Sequence, residues 1–117
     1  MPSDEELLVD MIVSAREARD LAPDRNYDDL VNDRTLQLAL TKLVEIVGEA
    51  ARSVTSETRK RAETVPWSDI VAMRHRLVHD YRNTRLEILW DVVTRDLPIL
   101  IQTLELLTDL REEDTNE

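Results

Sequence analysis

Residues 86–110, LEILWDVVTRDLPILIQTLELLTDL, decide the fold. Leu86, Leu89, Trp90, Val93, Leu97, Leu100, Ile101, Leu104, Leu107 and Leu110 recur every three or four positions, the spacing that lines up one face of an α-helix. A helix over 84–111 follows. Thr84 and Glu87 stand at capping-box separation at its start, where the hydroxyl can accept from a free backbone N–H and the carboxylate can reach back. Pro98 falls inside the pattern, and because the period continues on both sides it predicts a bend rather than an end.

The same period appears upstream. Ser3 and Glu6 form another capping-box spacing, and Leu7, Leu8, Met11, Ile12, Ala15 and Ala18 give residues 4–21 one greasy face before Pro23 and Asp24 stop the helix. A polar stretch through Tyr27 leads to a helix over 33–54, whose buried stripe is Leu36, Leu40, Leu43, Val44, Val47 and Ala51, with Gly48 and Ala50 permitting close approach of a neighbour. Residues 56–64 are charged and helix-prone and predict a short helix. Pro66 can open a further helix over 67–81, with Ser68 and Asp69 favourable at its start. Four main helices with short connections predict an all-α, antiparallel four-helix bundle. Residues 1–111 form one domain on this reading, and the acidic stretch 112–117 is a frayed tail.

Composition agrees with that class. Of 117 residues 42% are apolar and 34% charged, with one Gly and four Pro, too apolar for disorder and too poor in turn formers for an all-β fold. The absence of Cys removes disulfide scaffolds, thiolate metal sites and cysteine nucleophiles. There is no internal repeat and no Gly-rich phosphate loop, which excludes the P-loop and dinucleotide-binding motifs. An acidic start, Ser3-Asp4-Glu5-Glu6, and the lack of an apolar run near the roughly 18 residues of a membrane span lead us to expect a soluble, cytoplasmic chain without membrane contact.

Net charge is −10, from 15 basic and 25 acidic residues, which argues against nucleic-acid binding by the whole surface. The charge is unevenly spread. Residues 1–50 carry 5 basic and 12 acidic side chains, residues 51–85 carry 8 and 4, and residues 86–117 carry 2 and 9. Arg52, Arg59, Lys60, Arg61, Arg74, Arg76, Arg82 and Arg85 therefore form a basic island that could steer a polyanion to one place. Solvated helix faces are the plainer explanation.

Both histidines, His75 and His79, fall inside this island. Imidazole moves protons near neutral pH and guanidinium holds phosphate through paired N–H donors, a combination suited to phosphodiester cleavage without a metal. A ribose 2′-hydroxyl can attack the adjacent phosphate if one group assists proton transfer and another offsets the accumulating charge. On an ideal helix Arg74 and His79 lie about 140° apart, so they converge only if the helix unwinds near His79 or if two copies of the chain share a cleft. Tyr81 lies seven residues beyond Arg74 and nearly on its face.

The string Arg74-x-x-x-x-His79-x-Tyr81 resembles the signature of HEPN-domain proteins, specifically the HepT toxin family of bacterial and archaeal toxin–antitoxin pairs. Ile46-Val47-Gly48-Glu49-Ala50-Ala51, Pro66-Trp67, Leu89-Trp90 and Asp96-Leu97-Pro98 are similar to it too, and the resemblance runs from about residue 7 to 107. It implies a HEPN-like bundle and a homodimeric, metal-independent endoribonuclease of a type VII-like toxin–antitoxin system. Arg74 and His79 would act from both chains at the dimer cleft, with no cofactor. A partner nucleotidyltransferase antitoxin would transfer adenylyl groups from ATP to Tyr81, placing phosphates beside Arg74 where they compete for its donors. Many members carry Asn after the motif arginine, where this chain has His75; we expect His75, Arg76 and Arg82 to be supporting polar or RNA-binding residues.

Each assignment has a rival. Arg74 could simply pair with an acidic helix, for which Glu49 is a candidate; His79 could be a hydrogen-bonded packing histidine; Tyr81 fits the apolar face of Ile70, Met73 and Leu77. His75 and His79 are also four apart, as metal-clamping pairs are, but Asp80 is the only adjacent carboxylate and faces elsewhere on a helix, so no metal is expected. Trp67 and Trp90 read as core anchors. The whole-protein alternatives are a non-catalytic helical partner of a nucleotidyltransferase and a bundle that merely dimerises.

Overall fold

The computed structural model describes residues 2–80 and 83–109, leaving aside the side chains of 78–80 and 83–84. Its helices are α1 (Asp4–Asp20), α2 (Tyr27–Val31), α3 (Arg34–Ser53), α4 (Ser56–Arg61), α5 (Trp67–Leu77), α6 (Leu86–Asp91) and α7 (Leu97–Thr108). A π-helical turn, Val92–Asp96, joins the last two, and two short strands, β1 (Val78–Asp80) and β2 (Asn83–Thr84), lie between α5 and α6. The architecture is the expected all-α bundle. α1 packs along α3 and α7, and α3 also packs against α5.

The apolar stripes become the core. Met11, Ile12, Ala15 and Ala18 of α1, Leu40, Val44, Val47 and Ala51 of α3, and Leu97, Leu100, Ile101 and Leu104 of α7 are all buried, as are Leu89 and Val93. Trp67 is buried with its indole N–H donating to the Ala62 carbonyl at 3.0 Å. Trp90 is half-buried against the same core.

Polar contacts fix the helix directions. Asp4, at the start of α1, accepts from the backbone N–H of Thr55 at 3.1 Å and from the hydroxyls of Thr55 and Thr58. These hydrogen bonds hold its carboxyl below the usual carboxylate value of 3.8. The end of α3 therefore meets the start of α1. Arg59, on α4, bridges the end of α3 to Trp67 at the start of α5, so α3 runs antiparallel to both neighbours.

Five local readings need correction. Residues 27–31 are helical rather than a polar connection: Asn26 accepts from Asp29 N–H at 2.9 Å while Asp29 accepts from Asn26 N–H at 2.8 Å, and Leu30 is fully buried. Five residues with one buried side chain show no period, but the cap spacing Asn26–Asp29 was there to be found. The short helix expected over 56–64 stops at Arg61, where Ala62 N–H closes the last turn on Thr58 and Arg59.

The third correction matters most for the site. The helix expected over 67–81 ends at Leu77, because the Leu77 carbonyl accepts from Arg85 N–H at 2.6 Å and the chain enters an antiparallel ladder pairing Val78 with Thr84 and Asp80 with Asn83. Fourth, this ladder takes Thr84, so the cap position of α6 falls on Arg85 without a side-chain hydrogen bond and the Thr84–Glu87 capping box does not form. The remaining helix of 84–111 runs as α6, π turn and α7. Pro98 has no N–H to give the Thr94 carbonyl, and the wider turn just before it accommodates that loss, Leu97 N–H reaching back to Val92. Fifth, the helix expected to reach 111 ends at Thr108, where Asp109 takes a left-handed conformation (φ 56°) as its cap; the tail 112–117 lies outside the described residues.

Candidate active site

Arg74, His75 and Arg76 occupy the last turn of α5, where cations complement the partial negative charge of the helix end. All three are exposed. Successive helical residues rotate by about 100°, so the three fan out. Arg74 turns toward α3, where its Nη1 donates to Glu49 Oε1 at 3.0 Å. The pair is half exposed, at 53% for Arg74 and 51% for Glu49. The rival partner foreseen for Arg74 is thus its partner, and among the described residues it is the one hydrogen-bond acceptor Arg74 has.

Arg76 faces the other way. It borders a cleft of about 380 Å³ between α5 and α7, floored by Ile70, Met73 and Leu100 and rimmed by Asp69 and Asp96. Arg74 and Arg76 therefore address different faces of the molecule.

The helix ends between Arg74 and His79, so the ideal-helix separation of about 140° does not apply to them. The ladder advances two residues on β1, Val78 to Asp80, for one on β2, Thr84 to Asn83, which makes His79 the extra residue of a bulge. Bulges break the pairing rhythm of a ladder. The side chain of His79, and Tyr81 and Arg82 altogether, lie outside the described residues. His75 and His79 do not share a helix, so the four-residue spacing loses the geometry of a metal clamp.

A local contact explains why α3 can deliver Glu49 here. Gly48 is the chain's single glycine, and a Cβ built on it would stand 3.4 Å from the Ile70 carbonyl oxygen. The backbones of α3 and α5 thus approach closely enough to leave room for no more than a methyl group, one turn before Arg74. An alanine Cβ would just reach that contact, whereas a longer side chain at 48 would have to displace α5 and lengthen the Glu49–Arg74 reach.

The rest of the basic island is not one surface. Arg59 is committed to architecture: Nη2 donates to the Ala51 and Arg52 carbonyls at 2.9 Å each, Nε donates to the Val54 carbonyl at 3.2 Å, and the guanidinium lies 5.8 Å from the Trp67 ring centroid. It supplies donors to the Arg52 and Val54 carbonyls at the end of α3 and a second donor to the Ala51 carbonyl, which also accepts from Val54 N–H at 3.3 Å. Arg61 donates to Thr58 Oγ1 at 3.3 Å. At the α5 end Arg74 and Arg76 stay exposed. Sequence alone gives no sign of this division, because it depends on which helix end folds back against which side chain.

Among the described residues no helix is long and apolar enough to cross a membrane. The family model for "Ribonuclease HepT-like" matches residues 11–107. A protein of Methanocaldococcus jannaschii with "putative RNase" in its name is 29% identical over 100 residues, covering 86% of this chain and 92% of the relative. A similarly named protein of Caldanaerobacter subterraneus is 33% identical over 75 residues, 64% of this chain and 67% of its own. One from Thermococcus cleftensis, named "Probable ribonuclease HepT", is 30% identical over 74 residues, 63% and 67% of the two chains. No solved structure matches significantly. With residues 11–107 matched, including α5, the ladder and all but the last residue of α7, this chain belongs to the HepT-like ribonuclease family.

Proposed function

We propose that the protein is an endoribonuclease that needs no metal and acts as a homodimer, with Arg74 and His79 from both copies around one cleft. The observation that carries the reading is the juxtaposition at the end of α5. A half-exposed guanidinium sits on the last helical turn, and the backbone then leaves the helix and places His79 at a bulge, within a family whose relatives are named as ribonucleases.

The chemistry balances without a cofactor. A neutral imidazole takes the proton of the ribose 2′-hydroxyl; the 2′-oxygen bonds to phosphorus as the bond to the 5′-oxygen breaks; a protonated imidazole, from the second copy, supplies the leaving oxygen with its proton. The products are a 2′,3′-cyclic phosphate and a 5′-hydroxyl. Arg74 donates to the non-bridging oxygens, whose charge rises in the transition state. His75, Arg76 and Arg82 contribute to RNA binding on this reading.

The same reading makes the chain the toxin of a type VII-like pair, neutralised when a partner nucleotidyltransferase adenylylates Tyr81. Each added phosphate brings oxygens that compete for the Arg74 donors. Incubated with single-stranded or transfer RNA in EDTA, the purified dimer should yield cyclic-phosphate ends, and Arg74→Ala should lose about 10²-fold or more in rate. An unchanged rate in that variant would defeat the catalytic assignment. Intact mass after incubation with the nucleotidyltransferase and ATP tests the regulatory half: adenylyl increments should appear on the wild type and be absent from Tyr81→Phe. Adenylylation of a chain that cuts no RNA in its unmodified form would favour the non-catalytic partner instead.

A further inference from the structure

We propose that Glu49 is a positioning residue for the cleavage reaction: its carboxylate fixes the Arg74 guanidinium so that the remaining N–H donors face the scissile phosphate. The inference rests on the reading of Arg74 as the phosphate-holding group.

Three observations lead here. Arg74 donates to Glu49 through Nη1 alone, at 3.0 Å, and a guanidinium has five N–H donors, so the pairing orients the group while leaving four donors for a ligand. The pair is half exposed on both sides, and exposed ion pairs shift equilibria by about fivefold or less. That strength is too small to lock Arg74 away from an RNA phosphate, whose several contacts add up, but it is enough to select one rotamer of a long, flexible side chain. Finally, the anchor of the carboxylate is stiff. Glu49 follows the glycine at which α3 touches α5, with 3.4 Å between an added Cβ and the Ile70 oxygen, and Ile70 lies one turn before Arg74 on the same helix. The backbones that carry the two partners are therefore held against each other beside the ion pair.

Orienting a donor before the substrate arrives removes part of the ordering cost of the transition state. The carboxylate also carries a cost, since its charge repels the phosphate in the ground state. Its removal should therefore split the kinetic constants in a way that loss of structure does not: kcat falls while KM stays level or drops.

The test uses the full-length dimer and a 5′-labelled single-stranded RNA in EDTA, with kcat and KM measured for wild type, Glu49→Ala, Glu49→Gln, Arg74→Lys and the Glu49→Ala, Arg74→Lys double variant. Glu49→Ala should lose about fivefold in kcat at unchanged or lower KM, with its urea unfolding midpoint close to wild type. Glu49→Gln, which keeps an acceptor oxygen at the same reach, should stay within about threefold of wild type. In the Arg74→Lys background Glu49→Ala should add less than twofold, because the planar group it orients is gone. The inference is overturned if Glu49→Ala has wild-type kcat, if Gln is no better than Ala, if the losses at 49 and 74 multiply independently, or if kcat falls only in step with the folded fraction. Arg74→Ala separates the two levels of the argument. Wild-type cleavage by Arg74→Ala defeats the underlying reading of the site, whereas a crippled Arg74→Ala beside a fully active Glu49→Ala defeats only the positioning role.

Discussion

Two corners of the bundle carry arginine from the same basic island and use it in opposite ways. Where α3 meets α4 and α5, Arg59 donates to three backbone carbonyls and lies over Trp67. At the far end of α5, Arg74 keeps one carboxylate partner and stays half exposed. Trp67 and Arg74 are only about 10 Å apart along the helix axis, so the difference does not come from distance. It comes from neighbours. At the end of α3 three carbonyls converge on one guanidinium, while the end of α5 hands its last carbonyl to a backbone N–H of the ladder, Arg85 N–H to Leu77 O, and Arg74 turns to a carboxylate instead. Positive charge in sequence is therefore not a map of a binding surface: an arginine folded back over a helix end is spent on its carbonyls.

That contrast can be broken in several ways. The largest effect is expected beyond the α5 end: His79→Ala should lower the rate of RNA cleavage by about 10²–10⁴-fold with little change in the urea midpoint, and a loss of stability in proportion to the loss of rate would make His79 a packing residue instead. At the structural corner Arg59→Ala should cost about 2–3 kcal/mol of folding free energy, read from urea unfolding, because three part-buried or exposed carbonyls lose a charged donor together; a midpoint equal to wild type would show that water replaces the guanidinium freely. Between the corners, Gly48→Leu should cost about 1–3 kcal/mol by wedging α3 from α5, and it should also lower kcat by separating Glu49 from Arg74. Retention of both stability and kcat would mean that the helices slide past the added side chain.

The smallest effect is expected at Asp4. Its carboxyl is held below 3.8 in the folded chain by the Thr55 and Thr58 hydroxyls, then the Thr55 N–H and the charge of Arg61. A depressed folded value means that the contribution is fully present above the unfolded value and is lost as pH falls through the folded one. Unfolding free energy measured from pH 6 to pH 3 should therefore decline, and Asp4→Asn should flatten the most acidic part of that decline. Parallel curves for the two proteins would remove Asp4 from the account.

The bundle was legible in the sequence wherever many apolar residues repeat. The stripe from Leu7 to Ala18 gave α1 to within one residue at its end, and Leu36 to Ala51 gave α3 with similar accuracy. Long helices average over local exceptions, which is why Pro98 could sit inside the last one without hiding it. Short elements offer no such average. The five residues of α2 bury only Leu30, and the β1–β2 ladder joins two segments of three and two residues whose pairing is set by each other rather than by any pattern within either.

The candidate site was legible in the same uneven way. Arg74, His79 and Tyr81 stand out by residue type and spacing, and Glu49 could be named as a partner for Arg74 because opposite charges on adjoining helices tend to meet. The helix end at Leu77 could not be read, since its cause is an acceptor contact to Arg85, eight residues further on. Nor could the diversion of Arg59, which depends on α4 folding back onto the end of α3, or the turning of Arg76 toward α7 rather than toward Arg74.

The most direct test sets the two arginines against each other in one assay. Single-turnover cleavage of a 5′-labelled RNA in EDTA is measured for wild type, Arg74→Ala and Arg59→Ala at equal concentrations of folded protein. The account predicts that Arg74→Ala is slower by about 10²-fold or more while Arg59→Ala cleaves at the wild-type rate. Equal rates for Arg74→Ala and wild type, or an Arg59→Ala protein as slow as Arg74→Ala, would contradict it.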